Sequence, residues 1–259
     1  MSARAPVMFI GHGSPMFAIE PGKPGELLRE FGEHFANVTA VLVISPHWMT
    51  RRLEITAADS LETIHDFGGF PHELYKLQFN APGSYLVAQA VQAVLAGGGF
   101  DAVLNHSRGR DHGAWVPMIH LLPDENLPVL QLSLGANLDA QALVSLGKAL
   151  KQLREQGIAI IASGSLTHNL YEIQPLNAKP AEYVLRFTNW VREHVKVRDV
   201  QALSSPHRHS DDFARSHPTT EHYLPLLIAM GASDELDLLS GLDGGIQHGV
   251  ISMESYGWV

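Results

Sequence analysis

Residues 40–48 read AVLVISPHW, and no other stretch restricts the possible fold so much. Val41, Leu42, Val43 and Ile44 form an unbroken β-branched and aliphatic run. Such a run is a strand buried on both faces, the pattern of parallel sheets covered by helices. Pro46 has no N–H to give to a ladder, so the strand is expected to stop there. The first large polar side chain beyond the stop is His47, followed by Trp48. A buried strand thus delivers an imidazole to its carboxyl end, the edge at which open α/β sheets bind ligands.

The same arrangement occurs twice more. Residues 6–10 (PVMFI) lead into Gly11-His12-Gly13-Ser14-Pro15, and residues 158–162 (IAIIA) lead into Ser163-Gly164-Ser165-Leu166-Thr167-His168-Asn169. If the three runs lie side by side in one sheet, their imidazoles converge at one edge, as a divalent transition metal requires. The glycines around His12 allow close backbone approach to a ligand. A tight turn with an exposed histidine explains them equally well.

Composition narrows the chemistry. The chain has no cysteine, so disulfides and thiolate metal sites are excluded and any metal must be held by imidazole and carboxylate. It has 15 histidines, the side chain most often found on metals. His34, His72, His106, His120, His194, His207, His209 and His248 lack a readable flanking pattern and are taken as scattered surface and core residues. The net charge of −9, from 18 basic and 27 acidic residues, argues against a nucleic-acid or membrane surface. No apolar run approaches the ~20 residues of a bilayer span. The N-terminus lacks the apolar stretch of a secretory signal, so a cytoplasmic protein is expected. With 259 residues and no repeat, linker or low-complexity tract, a single domain over 1–259 is expected. No exposed apolar stripe indicates an oligomeric state.

Between these strands the periodicity alternates. Helices are expected over 24–36, 81–96 (stripe Val87, Val91, Val94), 138–155 and 181–195. Further strands are expected over 53–57, 100–104, 127–132 and 249–255. This alternation is α/β. Four other segments carry candidate chemistry. Residues 63–71 (TIHDFGGFP) place His65 and Asp66 among phenylalanines, either a pocket for a flat ring or a surface loop with an aromatic plug. Residues 108–117 (RGRDHGAWVP) set Asp111 beside His112, either an oriented acid/base pair or a helix cap and its neighbour. Residues 204–217 are polar and read as a mobile loop or lid. Thr219 or Thr220 is expected to cap a helix containing Tyr223, Leu226, Leu227 and Met230, with Glu221 and His222 in its first turn.

Taken together, GHGSPM at 11–16, SPHW at 45–48, IHDFGGFP at 64–71, DHGAW at 111–115, SGSLTHN at 163–169 and EHYLPLL at 221–227 resemble the class III (LigB) extradiol ring-cleavage dioxygenases. The similarity is to the DOPA 4,5-dioxygenase branch and its bacterial relatives. The segments occur in the family's order and cover nearly the whole chain. The resemblance implies a three-layer α/β/α sandwich with a mixed, mostly parallel sheet. It implies a metal site at His12, His47 and His222, with His168 as a fourth ligand or as the acid/base residue. The expected catalytic metal is Fe(II), although isolated proteins of the branch can carry Zn(II). Better-known class III enzymes use two histidines and a glutamate, so Glu221 competes with His222 for the last position. The implied substrates are a DOPA-like catechol and O2, and the product is a yellow semialdehyde.

The residue chemistry is consistent with this. Imidazole ligands with open positions suit Fe(II) that binds substrate and O2 together. A neutral His168 would take the second catechol proton, with His112 as hydrogen-bonding partner to the reduced oxygen or ring. His65, Asp66, Phe70 and Asp111 are the expected substrate contacts. The competing reading is a zinc-dependent hydrolase on the same site. It lacks an HExxH motif and has only Glu221 as an obvious base. A metal-binding protein without activity, its ion closed off by four histidines, is the third reading.

Overall fold

The structure is a computed structural model and describes residues 4–124 and 126–259. Its strands are β1 (Val7–Gly11), β2 (Ala40–Thr50), β3 (Leu53–Thr56), β4 (Ala102–Asn105), β5 (Val129–Gly135), β6 (Ile158–Gly164), β7 (Leu239–Leu242), β8 (Ile246–Gln247), β9 (Ile251–Ser252) and β10 (Ser255–Trp258). Its helices are α1 (Gly22–Phe31), α2 (Tyr85–Gly97), α3 (His112–Leu121), α4 (Ala140–Leu150), α5 (Glu182–Lys196), α6 (Val200–Leu203), α7 (Pro206–His209), α8 (Phe213–Ser216) and α9 (Leu224–Ala232). One sheet runs β4-β3-β5-β2-β6-β1-β10-β7, and β8 pairs with β9 apart from it.

The three histidine-bearing runs are neighbours. β2 and β1 flank β6, both parallel to it, with Val41 opposite Ala159 and Val7 opposite Ile160. Their side chains alternate between two cores. Val7, Phe9, Leu42, Ile44, Ile160 and Ala162 pack with α2, α4, α9 and the inner stripe of α5. Met8, Ile10, Val41, Val43, Ala159 and Ile161 pack with α1 and α3. Each large apolar side chain buried this way contributes about 1.5–3 kcal/mol. The result is a three-layer α/β/α fold. Its sheet is mixed because β3 runs antiparallel to β5, and β10 antiparallel to β1 and β7.

The structure differs from the sequence expectations at several points. Pro46 does not end β2. Pairing with β6 stops at Ile44, and the register with β5 jumps between Ser45 and Met49. Pro46, His47 and Trp48 thus occupy a bulge, where the missing proline N–H has no ladder bond to break. α1 gives way to a 3-10 turn at Gly32–Phe35, and α4 to another at Lys151–Gln156. α2 starts at Tyr85, where Ser84 accepts a hydrogen bond from the Val87 N–H at 3.3 Å. Its buried stripe is Ala88, Val91 and Leu95, so Val91 faces inward as expected while Ala88 and Leu95 take the places expected for the adjacent Val87 and Val94. The final strand expected over 249–255 is split between β9 and β10.

Residues 204–217 are not one open lid. They form α7 and α8, and bury Phe213, Ser216 and His217. Neither threonine caps α9. The Thr219 hydroxyl donates to Glu221 Oε1 at 2.9 Å, and Glu221 and His222 precede the helix rather than starting it. Among the described residues, no helix is long and apolar enough to cross a membrane.

Gly164 joins the sheet to that turn. A Cβ there would lie 2.3 Å from the His222 carbonyl oxygen and 3.1 Å from the Phe9 ring, so only glycine lets the turn seat against β6. Gly164→Ala is expected to cost about 1–3 kcal/mol by overpacking, read as a lower urea midpoint. An unchanged midpoint would show that the turn yields freely.

Candidate metal centre

β1 hands over to His12, whose N–H still donates to the Gly164 carbonyl at 3.0 Å. Gly13 then turns the chain with φ of +64°, a conformation costly for any side chain with a Cβ. The β2 bulge carries His47. The turn before α9 carries His222, tied to the end of β6 by the Ser165 N–H donating to the His222 carbonyl at 2.8 Å. These three backbones place one ring nitrogen each of His12, His47 and His222 within 4.8 Å of one another. Ring centroids are 5.2 Å apart for His12 and His47, 5.4 Å for His12 and His222, and 5.1 Å for His47 and His222.

Oxygen atoms behind the rings set their orientation. The Ser163 hydroxyl donates to the Gly113 carbonyl, so towards His12 it can only accept. It lies 2.8 Å from His12 Nδ1, which places the ring proton on that nitrogen. Glu221 Oε1 is 3.1 Å from His222 Nδ1, and Asp66 Oδ2 is 3.6 Å from His47 Nδ1. Ser163 and Glu221 thus hold the His12 and His222 ring protons at the back, so those two Nε2 lone pairs point inwards, whereas the Asp66 oxygen lies beyond hydrogen-bond length from His47. The Nε2 atoms of His12 and His47 are 3.3 Å apart, and His222 Nε2 is buried without a hydrogen-bond partner.

At that distance the two nitrogens share a proton or, with both lone pairs free, a cation between them. The 3.3 Å spacing matches two nitrogens each ~2.0–2.1 Å from a tetrahedral ion. The donor set therefore fits a divalent metal. Electrostatics point the same way. Burial, reinforced by the neighbouring imidazoles, drives His12 and His222 well below the usual histidine range. It lowers His47 to about 3, with His112 the next contributor. All three stay neutral, as lone-pair donors must.

His168 and His112 lie against different members of this trio. The His168 ring stacks on His222 at 3.5 Å and 10°. It forms a second donor group with Glu221 and His222, outside the one that includes His12 and His47. Burial also lowers its pKa. The His112 ring lies 4.0 Å from His47 and 5.7 Å from His12. Asp66 joins His47 to His112: its Oδ1 accepts from the His112 N–H at 2.8 Å and lies 3.0 Å from His112 Nδ1. Burial pushes the Asp66 carboxyl up, but the His112 hydrogen bonds outweigh it and hold the group near 2.

The other expected contacts lie farther out. Asp111 occupies the N-cap position of α3 but caps nothing. Its carboxylate is buried, accepts from the Gln131 amide and is pushed upward by burial. His65 braces its loop through Nε2 and the Leu77 carbonyl at 3.1 Å, and its ring lies 5.6 Å from Trp115. Phe70 packs on Phe67 at 5.4 Å, and Phe67 is the ring that meets His112, at 5.7 Å. Sequence reasoning missed Phe67, although it directly follows Asp66. It also missed Ser163, a strand serine with no distinguishing pattern, and His217, which lies at the end of a segment read as a lid.

Comparison with known proteins agrees with this geometry. Residues 6–244 match the family described as the catalytic LigB subunit of aromatic ring-opening dioxygenase. The chain is 36% identical over 252 residues to the 4,5-DOPA dioxygenase extradiol of Beta vulgaris, covering 96% of this chain and 94% of that one. It is 35% identical over 266 residues to the protein of the same name from Escherichia coli strain K12, covering 98% and 94%. A crystal structure of an uncharacterized protein from Escherichia coli K12 superposes with a TM-score of 0.78 at 30% identity, covering 98% of this chain and 99% of that one.

His217 makes the fold sensitive to acid. Its pKa is pulled down to about 4, by burial above all, whereas the unfolded chain binds a proton near 6.5. The stabilisation from keeping it neutral is complete above 6.5 and is lost as pH falls towards 4, to a total of roughly 3 kcal/mol. Denaturant melts of the metal-free protein are expected to weaken across that window, and His217→Gln to flatten the slope. Equal slopes in the two proteins would refute the assignment.

Proposed function

The chain belongs to the LigB family of aromatic ring-opening dioxygenases, and from that premise we propose that it opens a DOPA-like catechol by extradiol cleavage with O2, at a non-haem Fe(II) held by His12, His47 and His222. The convergence of three neutral imidazoles, those of His12 and His222 each backed by an oxygen acceptor, carries this reading. Imidazole donors suit Fe(II) and also accept Zn(II). When bound, the metal lowers the pKa of a catechol hydroxyl and connects the electron-rich ring to O2.

The chain's own residues supply the rest. His168, neutral at pH 7 because burial depresses its pKa, accepts the second hydroxyl proton. His112, fixed by Asp66, offers a hydrogen bond to the reduced oxygen or the ring. Phe67 presents an aromatic face next to His112, and substrate stacks there. Asp66 orients His47 and His112, and His65, Phe70 and Asp111 support this wall from behind; we assign none of these four a substrate contact. Glu221 orients His222. It already accepts from both Thr219 and His222, so it is poorly placed as the base of a zinc hydrolase. We propose that residues 1–259 act as one cytoplasmic catalytic domain. The adjacency of β1 and β10, from opposite ends of the chain, supports the single domain.

Anaerobic loading with Fe(II), followed by catechols and air, is expected to give O2 uptake and a yellow product. If no catechol does either, the reading fails. His12→Ala and His47→Ala are each expected to lose bound metal, read by elemental analysis. His168→Ala is expected to keep its metal and lose ~10²- to 10⁴-fold in kcat. The acid limb of the wild-type pH profile should fall below 6.5, since His168 protonates only below its ordinary value.

A further inference from the structure

We infer that His217 is a positioning residue: it fixes His168 over the His222 ring by gripping the turn that carries His168. The inference rests on the role proposed for His168. After Gly164 the chain leaves the sheet, and residues 165–169 lack the ladder bonds that would hold a strand or helix. Their polar groups must find partners elsewhere. On one side, Ser165 Oγ donates to the Thr167 carbonyl at 2.8 Å, and Thr167 Oγ1 to the Val250 carbonyl at 2.9 Å. On the other side, residues 215–217 hold three groups of the turn, at Leu166, His168 and Asn169. His217 Nε2 donates to the Leu166 carbonyl, the His168 N–H donates to the Ser216 carbonyl, and the Asn169 amide donates to the Arg215 carbonyl, each at 2.8 Å.

The central bond of this clasp has unusual surroundings. The His217 ring lies among Phe187, Phe213 and Tyr223, with centroids 5.9, 5.5 and 5.4 Å away. An apolar side chain would fill that space at less desolvation cost. What it could not supply is a donor for the Leu166 carbonyl. Tyr223, whose ring packs on His217, directly follows His222, the residue on which the His168 ring stacks at 3.5 Å. His217 belongs to none of the metal-sized donor groups found among the described residues. It acts through backbone placement, and a base displaced by about 1 Å costs on the order of 10²-fold in rate.

The test compares His217→Leu with His217→Gln, which keeps a donor. In the zinc-loaded protein, amide hydrogen exchange at His168 is expected to accelerate at least ~10-fold in the leucine variant, while β2 amides stay protected. In the iron-loaded enzyme, kcat is expected to drop ~10- to 100-fold, with KM and metal content close to wild type. Glutamine should restore most of both. If the leucine variant does not fold, His217→Asn, too short to reach Leu166, replaces it with the same expectations. Wild-type exchange and kcat in the leucine variant, joint loss of metal and activity, or no rescue by glutamine would each overturn the inference. If the wild type itself opens no catechol, the proposed function fails, and the exchange measurement still decides whether the clasp exists.

Discussion

Three imidazoles converging in a buried space are the constraint on which the structure depends. The Nε2 atoms of His12 and His47 lie 3.3 Å apart, a spacing at which they share either a proton or a cation, and the surrounding fold holds the rings there. The sheet provides that hold. β1, β6 and β2 lie side by side, so the first residues beyond β1 and within the β2 bulge share one edge. Gly164, at the end of β6, leaves room for the turn carrying His222. The parallel register thus sets the separation of groups that are distant in sequence.

A second layer of oxygen atoms turns that proximity into direction. Ser163, Asp66 and Glu221 each lie behind a different imidazole, and Ser163 and Glu221 hold the His12 and His222 protons away from the centre. Metal affinity depends on such partners almost as much as on the donors themselves. The partners also connect the centre to its surroundings. Ser163 ties His12 to the start of α3 through the Gly113 carbonyl, and Asp66 lies between His47 and His112.

Much of this was legible in the sequence. The apolar runs ending at His12, His47 and His168 indicated a buried parallel sheet with imidazoles at one edge, because burial on two faces leaves continuous hydrophobic stretches. The family resemblance added His222, which no strand pattern could have supplied. What escaped the sequence depended on tertiary register. Pro46 looked like a strand end, yet a bulge accommodates it. Phe70 and Phe67 are equivalent as letters, and only the loop's path brings Phe67 to His112. His217 looked like part of a polar lid because its neighbours are serine and histidine. Its burial arises because α5 packs over it from a distant part of the chain, while the neighbouring Phe213 and Tyr223 close the remaining sides.

The most direct test of the central claim is X-ray absorption on protein loaded with one equivalent of Zn(II) or Fe(II). Three imidazole nitrogens are expected at ~2.0–2.1 Å for the zinc form, with solvent oxygen in the remaining coordination. A first shell with fewer than three imidazoles, or one closed by four histidines with no solvent position, would contradict it.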